Sequence, residues 1–354
     1  MNKKVEEIDL NITNRCNIGC SHCLFSAGPN RSNDLPLSVI RNILVEGRSL
    51  GAREVHVTGG EPLVRKDLIQ ILKTAYDLGY FVRLQTNLWA FQHKIIPAVK
   101  KYCREILTSV DGLEESHDSI RRKGSFRRVT MWIKELLKEG FRVVVITAVQ
   151  KRNYRDVKKL VDFLINMGVN AHFLFSVTPL GRAKEDDVIS SEKWENLIFD
   201  LQEKYKYSKF KTDIICELRH LRADLKINVL ESECRLDSKN HIIVMPSGEV
   251  FPCSLFCGTD KSLGNVKEKS LEEIWLYSSV WKFYNTKIRD PECEECKLWR
   301  LCKGGCRGYS YLFSKDIRKK DPRCDGIRYP VCPSWKLNIK NLNIACATWK
   351  VMQR

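Results

Sequence analysis

Asn11-Ile12-Thr13-Asn14-Arg15-Cys16-Asn17-Ile18-Gly19-Cys20-Ser21-His22-Cys23 is the stretch on which the reading of this 354-residue chain turns. It overlaps a short alternating run, Ile8, Leu10 and Ile12, which reads as a strand with one buried face. Cys16, Cys20 and Cys23 then form a C-x3-C-x2-C array in the loop at that strand's C-terminal end. Three thiolates from one tight loop can hold three irons of a cubane cluster and leave the fourth open, whereas a ferredoxin-type site supplies four cysteines and closes it. An open iron can bind a substrate or cofactor, as an open zinc site does. With fifteen cysteines in the chain, such a triple arises by chance roughly 0.02 to 0.03 times. The competing readings are three unrelated core cysteines or part of a zinc site.

The length allows one large domain and a smaller one. A hydrophobic content of 43% is ordinary for a globular protein. No apolar run reaches the roughly eighteen residues of a membrane-spanning helix. Met1-Asn2-Lys3-Lys4-Val5-Glu6-Glu7 has no apolar core of a signal peptide, so a cytoplasmic location is expected. In a reducing compartment the cysteines point to metal or redox use rather than to disulfides. The formal charge of +17 invites an acidic partner. The basic residues are spread along the chain, however, so a solvated surface is favoured over nucleic-acid binding.

Outward from the cysteine loop, the pattern alternates strand and helix. Ser38 reads as the N-cap of a helix reaching about Leu50. Strands are expected at Glu54–Thr58, Phe81–Gln85, Arg104–Val110, Arg142–Val149 and Ala171–Phe175. Helices are expected at Lys66–Leu78, Ile95–Lys101, Phe126–Glu139 and Arg155–Met167, three of them ended by Gly79, Gly140 and Gly168. Six β-then-α units predict an α/β fold with a parallel sheet and an active site at the strands' C-terminal ends. The pattern alone leaves a three-quarter barrel and a doubly wound sheet both open. From Ser190 to about Leu230 the chain reads as helical. Beyond Cys234 cysteines are dense and turns frequent, with one clear helix from Ser270 to about Tyr284. Such a segment is expected to bury little core and to need metal staples. The expected division is therefore a barrel or sheet over 1–185, a helical linker over 186–233 and a cysteine-rich domain over 234–354.

Gly59-Gly60-Glu61-Pro62 follows the second strand, at the same sheet end as the cysteine loop. Two glycines let backbone approach a ligand, and carbonyls with a carboxylate can accept hydrogen bonds from an ammonium group. Taken with C-x3-C-x2-C, this motif resembles the radical S-adenosylmethionine (SAM) superfamily. The resemblance implies a partial (β/α)6 TIM-type barrel. It also implies a [4Fe–4S] cluster on Cys16, Cys20 and Cys23 whose open iron chelates SAM. Gly59, Gly60, Glu61 and Pro62 would receive the methionine end. Asn87, Ser109 and Asp111 end the third and fourth strands, where the family places ribose and carboxylate contacts; Arg121 and Arg128 resemble the segment that follows.

A second signature fills the C-terminal third. Cys234 is followed by Gly248 and Cys253, then by Cys293, Cys296, Cys302, Cys306 and Cys324. The spacing is similar to that of the SPASM domain, which binds two auxiliary iron–sulfur clusters, here expected as [4Fe–4S]. A zinc ribbon would account only for Cys293, Cys296, Cys302 and Cys306. By the family's pattern Cys293, Cys296, Cys302 and Cys324 hold the outer cluster and Cys234, Cys253 and Cys306 the inner one. Its fourth position falls to Cys257, to Cys332 or to an open iron. Cys103 and Cys216 sit in apolar surroundings and read as core residues. Three clusters with their thiolates would also offset part of the positive charge.

The resemblance implies reductive cleavage of SAM by an electron from a ferredoxin- or flavodoxin-type donor, then hydrogen abstraction from a substrate. Modification of a peptide or protein side chain, with or without a separate peptide carrier, leads over oxidation or decarboxylation of a small molecule such as a haem precursor. An iron–sulfur electron-transfer protein is the reading from another class. No membrane partner is expected.

Overall fold

The computed structural model describes residues 5–31, 34–205, 213–216, 234–296, 299 and 303–324, with backbone alone for 202, 203, 213–216 and 235. Cys302, Cys332 and the side chain of Cys216 lie outside the described residues. Strand β1 (Glu7–Asn11) shows why the chain folds as it does. Its apolar alternants Ile8 and Leu10 are fully buried and join the main hydrophobic core with Ile12. Helix α1 (Leu37–Ser49) lies against them through Ile40, Ile43, Leu44 and Gly47. A Cβ on Gly47 would stand 2.3 Å from the Ile8 Cδ1, so the glycine sets how closely helix and strand approach. The helix begins at Leu37 behind Pro36, and Ser38 lies inside its first turn rather than capping it. Proline's fixed φ and missing N–H suit it to that position.

The expected units follow in order: β2 (Glu54–Thr58), α2 (Leu68–Asp77), β3 (Phe81–Gln85), α3 (Ile96–Tyr102), β4 (Glu105–Ser109), α4 (Glu114–Ile120), α5 (Ser125–Lys138), β5 (Arg142–Val149), α6 (Val157–Met167), β6 (Ala171–Ser176) and α7 (Ser191–Tyr205). Of these, the short α4 has no counterpart in the sequence pattern, which shows no apolar period over seven residues. Two departures concern the ends of the sheet. Within the stretch read as helical, Asp213–Cys216 forms β7, parallel to β6. After α8 (Arg235–Ser238), β8 (His241–Val244) runs parallel to β1 on its other side. A hairpin of β9 (Glu249–Phe251) and β10 (Gly264–Asn265) extends this edge, giving the order β10-β9-β8-β1-β2-β3-β4-β5-β6-β7. The fold is thus an α/β partial barrel whose sheet the cysteine-rich segment continues.

That segment buries more than its patterning predicts. Phe251, Phe256, Trp275, Trp281 and Tyr284 belong to the same core as the barrel helices. Phe256 and Tyr284 meet edge to face at 5.0 Å, and Trp275 and Trp281 at 4.9 Å. Aromatic side chains bury much area per residue without a helical or strand period, which is why periodicity missed this core. The expected single helix over 270–284 is two: α9 (Leu271–Tyr277), capped by Ser270, and Trp281–Tyr284.

Polar alternants of the strands face the inside of the barrel. At its base Arg83 meets Glu7 at 3.0 Å, the carboxylate of Glu54, and Glu105 at 3.7 Å, while Arg142 reaches Glu105 at 2.8 Å. Burial pushes the Glu54 carboxyl up to about 8, against the pull of Arg83. A raised carboxyl stabilises the fold below its unfolded value, and that contribution is lost as pH rises through the folded one. Arg83→Met removes the cation from buried Glu54 and half-buried Glu7 and leaves Glu105 to Arg142 alone. Destabilisation of about 3–5 kcal/mol is expected, read as a lower unfolding temperature and larger at pH 8 than at pH 6, where Glu54 can take a proton.

Candidate active site

The loop after β1 is held by backbone hydrogen bonds, within itself and to the end of α4. Cys16 N–H donates to Gly28 O at 3.1 Å, Cys23 N–H to Cys20 O at 3.3 Å and Ser21 N–H to Ile120 O at 2.9 Å. The loop after β6 seals it. Arg182 donates to Cys20 O and Ala27 O, both at 2.7 Å, and Gly181 has φ +65°, with a Cβ there 2.2 Å from Cys23 O. Cys16 and Cys20 are buried with Ile18 and Ala27, and Cys23 and Trp89 lean on them. Burial pushes the Cys16 thiol up to about 12, and raises Cys20 against the pull of Arg121. Thiols held neutral this way become ligands when a metal supplies the positive charge. Two N–H donors already face the sulfurs: Asn87 Nδ2 lies 3.7 Å from Cys16 Sγ and Arg121 Nη1 3.8 Å from Cys20 Sγ. Three soft ligands in a dry loop, edged by donors to sulfur, fit an iron–sulfur cluster.

The Gly59-Gly60 turn lies against this loop, backbone on backbone. Gly60 N–H donates to Thr13 O at 2.7 Å and Glu61 N–H to Arg15 O at 2.8 Å. A Cβ on Gly59, whose φ is +143°, would stand 2.4 Å from Thr13 O; one on Gly60 would stand 2.2 Å from Arg15 O. Only glycine permits that approach. The glycines line a cleft of about 520 Å³ together with Cys16, Cys20, Cys23, Asn87, Ser109 and Arg121.

Glu61, Pro62, Asp111 and Arg128 are not in the cleft lining. Pro62 is buried at the start of a 3-10 turn. Glu61 is fully buried and accepts hydrogen bonds from Leu63 N–H at 3.0 Å, Thr86 Oγ1 at 2.7 Å and Asn87 N–H at 2.7 Å. Its carboxyl, pushed up to about 7 by burial against these donors, ties the second strand's loop to the third rather than waiting for an ammonium group. Asp111 is likewise fully buried, accepting from Arg121 Nε at 2.5 Å and Ala148 N–H at 3.0 Å. Burial pushes its carboxyl up, but Arg121, His22 and His117 outweigh that and hold it at about 2. It therefore aims Arg121 at Cys20. Arg128 donates to Trp89 O at 2.5 Å, and Arg122 stacks 4.3 Å over the Trp89 ring. Both arginines shape the flank of the loop.

Cys234, Cys253 and Cys306 converge on the opposite wall of the same cleft. Arg307 lies beside them, donating to Asp237 at 2.7 Å, to Tyr284 O at 2.7 Å and toward Cys234 Sγ at 4.0 Å. Cys257 is outside the lining, its thiol 3.9 Å from Cys253 O and raised by burial. Cys293 and Cys296 lie on the helix Pro291–Glu294 and just past its end. Asp290 caps that helix and also accepts from Lys320 N–H at 3.2 Å, drawing in the loop that carries Cys324. Cys103 is buried in the apolar core, as expected. Arg182, His22 and the pair Thr178 Oγ1–Tyr309 OH, 2.6 Å apart across the cleft, also line the site. His22 lies within the cysteine motif, and Thr178 and Arg182 lie in Thr178-Pro179-Leu180-Gly181-Arg182-Ala183, a stretch that resembles the family's loop after strand six; Tyr309 meets Thr178 from 131 residues away, so no local motif marks it.

Gly60→Ala forces the turn off the cysteine loop. A loss of 1–3 kcal/mol in stability, the usual order for overpacking, should accompany at least a roughly tenfold loss of SAM affinity. Anaerobic thermal unfolding and equilibrium dialysis against SAM, at matched iron content, check both.

The sequence profile of the radical SAM superfamily matches residues 10–164, and that of an iron–sulfur cluster-binding domain, SPASM, matches residues 234–298. An AdoMet-dependent heme synthase of Methanosarcina barkeri is 28% identical over 336 residues, spanning 88% of this chain and 94% of that protein. A PqqA peptide cyclase of Rhizobium meliloti is 24% identical over 348 residues, spanning 94% of this chain and 89% of the other. The fold matches the crystal structure of Streptococcus suis SuiB bound to S-adenosylmethionine with a TM-score of 0.79 at 19% identity, over 92% of this chain and 78% of that one. Its cofactors are those of its two domains: a [4Fe–4S] cluster and SAM in the barrel, and auxiliary iron–sulfur clusters in the SPASM part. The chain belongs to the radical SAM superfamily, as an enzyme with a C-terminal SPASM domain.

Proposed function

We propose that this enzyme oxidises a propionate-bearing tetrapyrrole, releasing carbon dioxide from the side chain. The observation that carries this reading is the character of the cleft: Phe25, Ile146, Phe173, Phe175, Leu255 and Tyr309 give it broad apolar walls. Such walls suit a flat apolar body with a reactive side chain turned inward. Similarity to the heme synthase over nearly its whole length supports it. When bound, the cluster and SAM would supply the radical chemistry that removes a hydrogen atom from the side chain, and an auxiliary cluster would supply the acceptor for the one electron released when the carboxylate leaves as carbon dioxide and an alkene remains.

The chain's own residues hold the parts in place. Cys16, Cys20 and Cys23 hold the SAM-binding cluster. The Gly59–Gly60 backbone receives the amino end of SAM, and Asn87, Ser109 and Arg121 border it. Cys234, Cys253 and Cys306 hold the inner auxiliary cluster, with Cys257 next to them for the fourth position. Cys293, Cys296 and Cys324, with Cys302, hold the outer one. Thr178 and Tyr309 tie the barrel to the SPASM wall and help exclude water. An acidic, low-potential donor of ferredoxin or flavodoxin type docks where Gly19 is exposed, beside the exposed Arg122 and Lys123. A second reading is peptide modification, favoured by the similarity to the peptide cyclase.

One experiment separates the two. The reconstituted enzyme is incubated anaerobically with SAM, a reductant and deuterated tetrapyrrole or peptide fractions. Deuterium in 5′-deoxyadenosine from the tetrapyrrole fraction, with carbon dioxide released, is the expected result. Label from the peptide fraction alone overturns it in favour of the second reading. Cys16→Ala should abolish the label from every fraction.

A further inference from the structure

Below the cysteine loops the cleft reaches Asp9, His56 and His241, which the cluster chemistry does not use. Strand register brings them together. Asp9 on β1 stands opposite His56 on β2, and Glu7 on β1 stands opposite His241 on β8. One donor atom from each of Glu7, Asp9 and His241 falls within 4.8 Å of the others. His241 Nε2 lies 3.0 Å from Asp9 Oδ2, and its side chain is 5% exposed. Yet neither nitrogen of that ring has a hydrogen-bond partner among the described residues. Bonds of about 2.0–2.2 Å at a tetrahedral centre separate two ligands by about 3.3–3.6 Å, so this nitrogen and oxygen need to part by only a few tenths of an ångström to share one ion. His56 Nδ1 meets the other Asp9 oxygen at 3.1 Å, the kind of outer contact that orients a ligating carboxylate.

Charge points the same way. Glu7, Asp9, Glu54 and Glu105 line this base of the barrel, and Arg83 and Arg142 are the arginines paired with them. With the Glu54 carboxyl pushed up to about 8 by burial and so largely protonated at neutral pH, three carboxylates face two guanidiniums and leave one negative charge unmatched. A divalent cation offsets that charge together with an ionised Glu54.

We propose that Glu7, Asp9 and His241 form a binding site for one divalent transition-metal ion, joining the first barrel strand to the SPASM strand at the floor of the cleft. One imidazole and two carboxylates suit Zn2+, Fe2+ or Mn2+. Asp9 and His241 line the cleft. The site is independent of the cluster cysteines and of which substrate the enzyme takes.

Mn2+ is the probe, because it avoids thiolates. The cluster-loaded enzyme is titrated with Mn2+ and followed by electron paramagnetic resonance, with pulsed detection of nitrogen coupling. About one equivalent should bind with a single imidazole coupling. His241→Gln should remove the coupling, and His241→Gln and Asp9→Asn should each weaken binding roughly tenfold or more. Iron and sulfide contents equal to the parent protein's show that the variants have folded. Absence of bound Mn2+ in the parent protein, or binding without nitrogen coupling, overturns the site.

Discussion

The contact of the Gly59–Gly60 turn with the backbone of residues 13–15 governs the rest of the site. It is a steric constraint before it is a chemical one: the two chains lie so close that no side chain fits between them. Two backbone hydrogen bonds hold them there. Because the first loop carries the three cysteines, this contact fixes where a cluster sits relative to the groups at the ends of β2 and β3. Glu61 extends the constraint by binding Thr86 and the backbone of Asn87, so three successive strand ends move as one unit. A reaction that depends on holding a radical's target close needs that rigidity.

Buried charge is handled by the same economy of partners throughout. Asp111 is fully buried but holds Arg121, which in turn faces Cys20. Arg307 does the equivalent beside Cys234, and Arg182 grips the cysteine loop through its carbonyls. Each cationic group near a cluster cysteine is therefore fixed by a carboxylate or by backbone. Fixed positive charge and N–H donors near sulfur favour the more reduced, more negative form of a cluster. The two walls of the cleft, built from distant parts of the chain, arrive at one electrostatic solution.

Much of this was legible in the residues themselves. The β-then-α alternation marked six units, and the two motifs identified the sheet end where chemistry gathers. The boundary of what could be read follows from geometry. Alternation shows that Ile8 and Leu10 share a face but not what the opposite face meets, so it leaves open whether Glu7, Asp9 and His56 meet solvent or line a barrel. Motif membership put Glu61 and Asp111 at the site, but only the packed structure shows both carboxylates turned into the protein. The aromatic core of the SPASM segment has no period to detect; Phe256 and Tyr284 meet through a loop and a short helix. Pairings such as Thr178 with Tyr309 or Asp9 with His241 join residues more than a hundred positions apart, beyond any local pattern.

The pairing of β8 with β1 also sets an order of events in time. Asn11 donates to Val244 O across 233 residues of sequence. As the chain leaves the ribosome, β1 can pair with β2 within seconds, yet its other edge waits until nearly seven-tenths of the protein has been made. Throughout that interval the strand preceding the cysteine loop is a bare edge, the kind of surface on which wrong partners add. Closing so long a loop is slow compared with local β–α pairing. The SPASM strand is thus the last piece of the barrel to arrive, and until it does the inner wall of the cleft does not exist.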